Sequence, residues 1–371
     1  MKFTCNQQLL AKSLNTVSKA ISIRTTIPIL KGILLKVTDD NQLTMAASDM
    51  DISIQKTIDV NTEESGTTVV MAKLFGEIIR KLPNEELTIE LQENGNISIS
   101  SMTSVFNIIG MPADEFPGIG DITDVKAQLS FDRSMLRDMI RKTHFCASVD
   151  ESKGIITGVL LEIEKDSFNM AALDGFRMAV AREKMTSEEE YSIVISARIM
   201  NEVNKILSES DTDDNVDLIL GDKKAVMLLE KTKIVIRLLD GEFIKYKDIL
   251  PSEKQTTVVI NRSELLSSID RASLLAKEGK NNLVRFNIEE NLLSITSNSE
   301  EGRVKEELIM EKEGGDLEIG FNSKYISDAL KAVDDETVIM EFNTPTTPCL
   351  IKPLEGNSFE YLILPVRIPS N

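Results

Sequence analysis

Few residues in this chain are placed to do chemistry. The sole histidine, His144, stands two positions from Cys146, the one place where an imidazole could activate a thiol. On a helix, residues two apart point in different directions, so each is assigned a core or surface role. The run Asp211-Thr-Asp213-Asp-Asn215-Val-Asp217 spaces oxygen ligands as a calcium loop does. Yet Val216 occupies the position that needs glycine, and Asp222 stands where the closing glutamate belongs. A solvated acidic loop is the reading that remains. No CxxC, HExxH, GxxxxGK[ST] or GxSxG run occurs, and no two carboxylates stand out as an acid/base pair. The chain is expected to be no enzyme, with no catalytic residue, metal or cofactor, so its function should lie in binding.

The elements that would position a binding surface come next. A length of 371 residues with 42% hydrophobic content suits two or three packed domains. No apolar run approaches the length of a membrane span, and Met1-Lys2-Phe3-Thr4-Cys5 lacks the apolar run of a signal peptide. Cys5, Cys146 and Cys349 are odd in number and far apart, which fits a reducing, cytoplasmic compartment. The net charge of −18 argues against nucleic acid if it is spread evenly, because phosphate binding needs a basic surface.

The chain repeats itself three times. Gly32-Ile-Leu-Leu-Lys-Val37 leads to Leu43-Thr-Met-Ala-Ala-Ser-Asp49, and Gly158-Val-Leu-Leu-Glu-Ile163 to Phe168-Asn-Met-Ala-Ala-Leu-Asp174. A weaker copy runs from Leu283-Val-Arg-Phe-Asn-Ile288 to Leu293-Ser-Ile-Thr-Ser-Asn298. Each reads as strand, turn, strand. After each copy a strand opens a helix marked by a basic residue, Lys73, Arg198 or Lys324, spaced 125 and 126 apart. Three units of about 120 residues follow, with boundaries at 1–120, 121–250 and 251–371. In each, a short strand enters a helix (6–20, 131–143, 261–277), strands follow, and a second helix comes later (72–82, 196–207, 322–332). Asn94-Gly95 and Gly221-Asp222 are hairpin turns, and linkers fall near Pro117–Asp124 and Pro251–Thr256. The class is α+β, with mostly antiparallel sheets and the helices collected on one side.

The six helical windows carry a formal charge of +9, which leaves −27 to the rest of a chain at −18. If the helices share a face, that face is basic and can hold phosphates without reading bases, while the acidic exterior keeps DNA from sticking elsewhere.

These residues resemble the bacterial beta sliding clamps of DNA polymerase III over essentially the whole chain. The resemblance runs through Met1-Lys2-Phe3-Thr4, Arg24-Thr-Thr-Ile-Pro-Ile-Leu30 and Phe106-Asn-Ile-Ile-Gly-Met-Pro-Ala-Asp-Glu-Phe-Pro117. It continues through Leu173-Asp-Gly-Phe-Arg-Met-Ala179, Asp240-Gly-Glu-Phe243, Ile319-Gly-Phe-Asn322 and Tyr361-Leu-Ile-Leu-Pro-Val-Arg-Ile368. It implies the DNA clamp fold: a head-to-tail homodimer closing into a ring, helices lining the hole, and duplex DNA held topologically without sequence preference. DNA contacts are implied at Arg24, Arg80, Arg198 and Lys205. A groove for short hydrophobic peptides is implied at Ile156, Leu173, Gly175, Phe176, Arg177, Met178, Ile244, Ile249, Pro348, Leu362, Leu364, Pro365, Val366 and Arg367. The ring contact matches Phe106 and Ile108 on one copy and Leu274 and Leu275 on the other.

The implied partners are double-stranded DNA, a second copy of the chain, the replicative polymerase subunit, the clamp loader, repair and translesion polymerases, and ligase or mismatch-repair proteins, with no membrane. The implied address is the cytoplasm, at the nucleoid during replication. The sequence departs from the family at Phe176, where His is frequent, and at Ile244, where Pro is usual; Pro369-Ser370-Asn371 extend past the usual end. Aromatic DNA contacts of some members fall at Gly154 and Ile155, with Lys153 available as a cation instead. The alternatives are an acidic protein-binding scaffold that does not encircle DNA, and a carboxylate-dependent hydrolase, for which the sequence offers no clustered pair.

Overall fold

Strand pairing joins one repeat to the next, and the architecture follows from it. The computed structural model describes residues 1–22, 25–209 and 214–368. Contacts gather the chain into two units: Met1–Met135 with Lys205–Leu238, and Leu136–Asn204 with Leu239–Asn371. The first unit holds a 13-stranded sheet, the second a 9-stranded and a 4-stranded sheet. Every described strand pairing is antiparallel.

In the first unit, strand Ile52–Asp59 of the first repeat pairs with Thr232–Arg237 of the second. In the second unit, Arg177–Lys184 of the second repeat pairs with Phe359–Ile363 of the third. The same two places in the repeat make both seams. The remaining two members of the series are Gly302–Ile309 and Ser104–Met111. Gly302–Ile309 is the outer strand of the 4-stranded sheet. Ser104–Met111 pairs fully with Asn96–Ser101 but meets strand Gly66–Met71 only at Gly110 and Met111. Among the described pairings, each therefore has an open edge.

Among the described residues six α-helices recur in pairs: α1 (Gln7–Val17) and α2 (Ala72–Lys81), α3 (Arg133–Thr143) and α4 (Ala197–Leu207), α5 (Arg262–Ala276) and α6 (Ser323–Lys331). They match the sequence windows, except that the first window ends in a 3₁₀ turn, Ser18–Ala20. The first helix of each pair starts behind an Asx residue. Asn6 accepts from the amides of Gln8 and Leu9, Asp132 from Met135, and Asn261 from Glu264, which satisfies otherwise orphaned amides. The residue after each cap then reaches across to the second helix of the pair. Gln7 Nε2 donates to Ile79 O at 2.6 Å. Arg133 donates to Leu207 O at 2.8 Å and Ile206 O at 3.4 Å. Arg262 donates to Leu330 O at 3.2 Å and Asp335 O at 2.7 Å. These acceptors lie at or just past helix C-termini, where carbonyls lack partners and cations are favoured.

This device corrects the charge reading. Arg133, only 3% exposed, and Arg262 hold helices together rather than adding to a basic face. Acids outside the helical windows bind further helix cations: Glu209 binds Lys19, Asp334 binds Arg141 and Glu306 binds Arg271. The helices are less basic in effect than their formal charge. Lys12, Lys73, Arg80 and Lys81 stand exposed on α1 and α2.

Close packing also repeats. A Cβ on Gly32 would lie 2.4 Å from Val69 Cγ1, and one on Gly158 would lie 2.4 Å from Val194 Cγ1. Gly158→Ala and Gly32→Ala are each expected to lower stability by about 1–3 kcal/mol through overpacking, read as a lower thermal midpoint; unchanged midpoints in both would show that the sheets absorb a methyl group there.

Candidate functional site

The densest gathering of predicted site residues lies in the second unit. Leu173, Met178 and Leu362 belong to one buried cluster with Leu160, Leu350, Phe243 and Tyr246, and Ile156 packs against it. Cross-strand register places the floor in a row: Leu173 opposite Met178, Met178 opposite Leu362, Leu362 opposite Leu350. Directly opposed residues share a face of the sheet, so the apolar row is a consequence of pairing. Close to these cluster residues in the chain stand four exposed apolar side chains, Phe176 (54%), Ile249 (44%), Ile244 (41%) and Leu364 (37%). Exposed apolar groups of this size suit an apolar ligand. Ile244 is carried by its neighbour Phe243, and Ile249 by a 3₁₀ turn (Tyr246–Ile249) whose Tyr246 is sunk in the cluster.

The turn that presents Phe176 is built by Asp174. Its Oδ1 accepts from the amides of Phe176 (2.8 Å) and Arg177 (3.1 Å), an Asx turn, and Gly175 takes a positive φ of 94°. Arg177 is buried behind the turn. It donates to Asp174 Oδ2 (3.1 Å), to Asp328 Oδ2 on α6 (2.7 Å) and to Phe145 O (2.9 Å), and it lies 4.5 Å from the Tyr325 ring centroid. Burial alone would lower its pKa, but its acidic surroundings, Asp328 and Asp174 among them, raise it above the ordinary value. Phe176 stacks on Tyr325 at 6.4 Å, and Leu364 N donates to Phe176 O at 2.9 Å. The C-terminal segment is held once more where Val366 N donates to Gly320 O at 2.8 Å. Pro365 is half-buried and Arg367 exposed along it, while Pro348 precedes strand Cys349–Pro353.

The sequence reading missed Tyr325, Asp328 and Phe145. The Asp-Gly pair of Leu173-Asp-Gly-Phe signals the turn, but nothing local signals a partner for Arg177 151 residues away.

The predicted DNA contacts are scattered by comparison. Arg24 lies outside the described residues. Arg80 is exposed on α2, with its guanidinium folded back over Gly76, and Arg198 and Lys205 are exposed on α4. Lys153 sits with the groove residues instead: its Nζ donates to Asp174 O at 3.3 Å and lies 5.8 Å from the Phe176 ring centroid. Of the predicted ring-contact residues, Phe106 is 40% exposed and Ile108 buried on strand Ser104–Met111. Leu274 is 66% exposed on α5, and Leu275 faces Gly302 of the open strand Gly302–Ile309.

The catalytic and metal candidates resolve simply. His144 and Cys146 share a 3₁₀ turn (His144–Cys146), not an α-helix. His144 Nδ1 pairs with Ile140 O at 2.8 Å, and the buried Cys146 thiol is pushed far up by burial. Asp211–Asp213 of the calcium-spaced run fall outside the described residues, as do Pro369–Asn371. Among the described residues no group of three or more His, Cys, Asp or Glu could hold a metal ion, and no helix is long and apolar enough to cross a membrane.

Three family models match the chain in order: the N-terminal domain of the DNA polymerase III beta subunit over residues 1–120, its central domain over 130–245 and its C-terminal domain over 247–367. The chain belongs to the DNA polymerase III beta subunit family. The beta sliding clamp of Bacillus subtilis is 35% identical, over 99% of this chain and all of that one. A crystal structure of the Bacillus subtilis clamp superposes with a TM-score of 0.93 at 34% identity, over the full length of both chains. The Thermotoga maritima beta subunit superposes with 0.92 at 32% identity, over 99% of this chain and all of that one. A Pseudomonas aeruginosa clamp bound to griselimycin gives 0.93 at 26% identity, with the same coverage. The function of this beta-subunit chain is that of a DNA sliding clamp, a processivity factor with no catalysis of its own.

Gly320 is the point at which this clamp chain anchors its C-terminal segment. A Cβ there would lie 2.7 Å from Val366 O and 2.8 Å from Leu283 Cδ1. Gly320→Ala is expected to loosen residues 364–367, seen as faster amide exchange at Leu364 and Val366 with the sheet still protected; unchanged exchange would refute the anchor.

Proposed function

We propose that two copies of this chain close head-to-tail into a ring around duplex DNA, each contributing three domains, 1–120, 121–250 and 251–371. The observation that carries the reading is the repeating seam. Repeat one joins repeat two through Ile52–Asp59 and Thr232–Arg237, and repeat two joins repeat three by the equivalent pair. Among the described pairings repeat three leaves one edge of Gly302–Ile309 open, and repeat one leaves one edge of 104–109 open. These are the two halves of a third seam, which a second copy can supply. Phe106 and Ile108 lie on one edge, and Leu274 and Leu275 beside the other, so an apolar contact accompanies the strand pairing.

Inside such a ring the helix cations meet phosphates. Arg24, Arg80, Lys153, Arg198 and Lys205 are the residues assigned to DNA, with weak contacts that carry no sequence preference. The groove takes short apolar segments of the replicative polymerase, clamp loader, and repair or ligation proteins, with Phe176, Ile244, Ile249 and Leu364 as walls over Leu173, Met178 and Leu362. Pro348, Pro365, Val366, Arg367, Gly175, Ile156 and Arg177 complete or brace it. The working compartment is the cytoplasm.

Loaded by a clamp loader and ATP onto nicked circular duplex, the protein should stay bound and then leave once the circle is cut. Equal retention on circular and linear DNA would replace encirclement with ordinary binding. Leu274→Ala with Leu275→Ala should yield monomers by light scattering, because the contact loses apolar area; a persistent dimer would move the interface elsewhere.

A further inference from the structure

The end of α1 and its 3₁₀ turn form a set of donors that a carboxylate from far along the chain already fills. Asn15 Nδ2 donates to Glu209 Oε1 at 3.3 Å, Lys19 Nζ to the same oxygen at 2.5 Å, and Thr16 Oγ1 to Oε2 at 2.6 Å. Lys19 lies four residues past Asn15 and three past Thr16, where side chains on a helix are neighbours, so one oxyanion meets all three. Lys56, on strand Ile52–Asp59, brings a further ammonium, its Nζ 3.5 Å from Thr16 Oγ1. Burial pushes the Lys56 ammonium below its ordinary pKa; the Glu209 and Glu230 carboxylates oppose this, and Lys12 and Lys19 add to it. Glu230 is shared with Arg133, so four cations stand against two acids and the place stays positive with Glu209 in it. Glu209 is well seated. Its side chain is 16% exposed, against 83% for Asp334, which binds Arg141 from just past α6.

We propose that this cradle is a phosphate site, closed by Glu209 in the free chain, that takes a backbone phosphate of duplex DNA when Glu209 is displaced. The inference rests on the DNA reading above. A phosphodiester carries one negative charge on two unbridged oxygens, as the Glu209 carboxylate does, and the same ammonium, hydroxyl and amide donors satisfy it. The exchange is therefore nearly balanced: DNA gains at the cradle only what exceeds the Glu209 contacts. An internal competitor lowers apparent affinity by the fraction of time the site stands open. The electronegative C-terminal end of α1 weakens the hold on any anion there. Both effects suit a contact that must let go as the duplex moves past.

The test uses the full-length protein in two arms. In the first, Glu209→Ala empties the cradle and inorganic phosphate is added, against chloride at equal ionic strength. Phosphate should raise the thermal midpoint of Glu209→Ala by about 2–4 °C more than that of the unaltered chain. In the second, a short fluorescein-labelled linear duplex is titrated by anisotropy. Glu209→Ala should bind it about threefold to tenfold tighter at low salt, with log affinity against log salt steeper by about one. Glu209→Gln, which removes only the charge, should gain in the same direction. Thr16→Val removes a donor without changing charge, so adding it to Glu209→Ala should abolish the phosphate effect and most of the duplex gain. A gain that survives Thr16→Val is general electrostatics and would overturn the site. No extra phosphate stabilisation would overturn the cradle and leave the DNA reading standing, whereas phosphate stabilisation with no duplex binding by any variant would sink the DNA reading itself.

Discussion

The antiparallel seam between successive repeats is the constraint on which the rest of the molecule depends. A strand in the first half of one repeat must find the last strand of the next, and it does so twice within the chain, at Ile52–Asp59 with Thr232–Arg237 and at Arg177–Lys184 with Phe359–Ile363. Register then fixes which side chains share a face. The second seam sets Met178 against Leu362, and the groove floor follows from that pairing. The proposed partner groove and the proposed ring closure would thus be two products of one interaction, the first made at a filled seam and the second at an open one.

Much of the fold was legible in the sequence because the signals were local. Asn6, Asp132 and Asn261 announce helices one residue later, and the twin motifs at Gly32 and Gly158 announce strands whose glycines are held by close valines. The direction in which a side chain turns was not legible. Arg133 and Arg262 read as surface cations, yet they reach into carbonyls at the ends of the neighbouring helices, as the neutral Gln7 does in the first repeat. A formal charge count treats all three helix pairs alike only until those contacts are known.

The groove residues entered through a resemblance rather than through periodicity, since an apolar residue in a strand looks the same whether it floors a groove or fills a core. Leu173 and Met178 are buried core by any measure. What marks the place is the exposed quartet near them in the chain and the contacts that build one turn: Asp174, Gly175 and the buried Arg177, tied to Asp328 and Tyr325 on α6. A buried guanidinium with several acceptors fixes geometry more than it adds stability. Phe176 is therefore presented on a rigid mount, and neither Asp328 nor Tyr325 could be assigned to it from the sequence.

The two open edges differ in kind. Strand Gly302–Ile309 carries Arg303, Lys305, Glu306 and Glu307, whereas Ser104–Ile109 carries no charge at all. Charged side chains on an exposed edge deter stray pairing, so one of these edges is guarded and the other receptive. Assembly built from unlike ends has a direction, and every copy entering it must face the same way. In the ring proposed for two such copies, the two rims would then differ from one another.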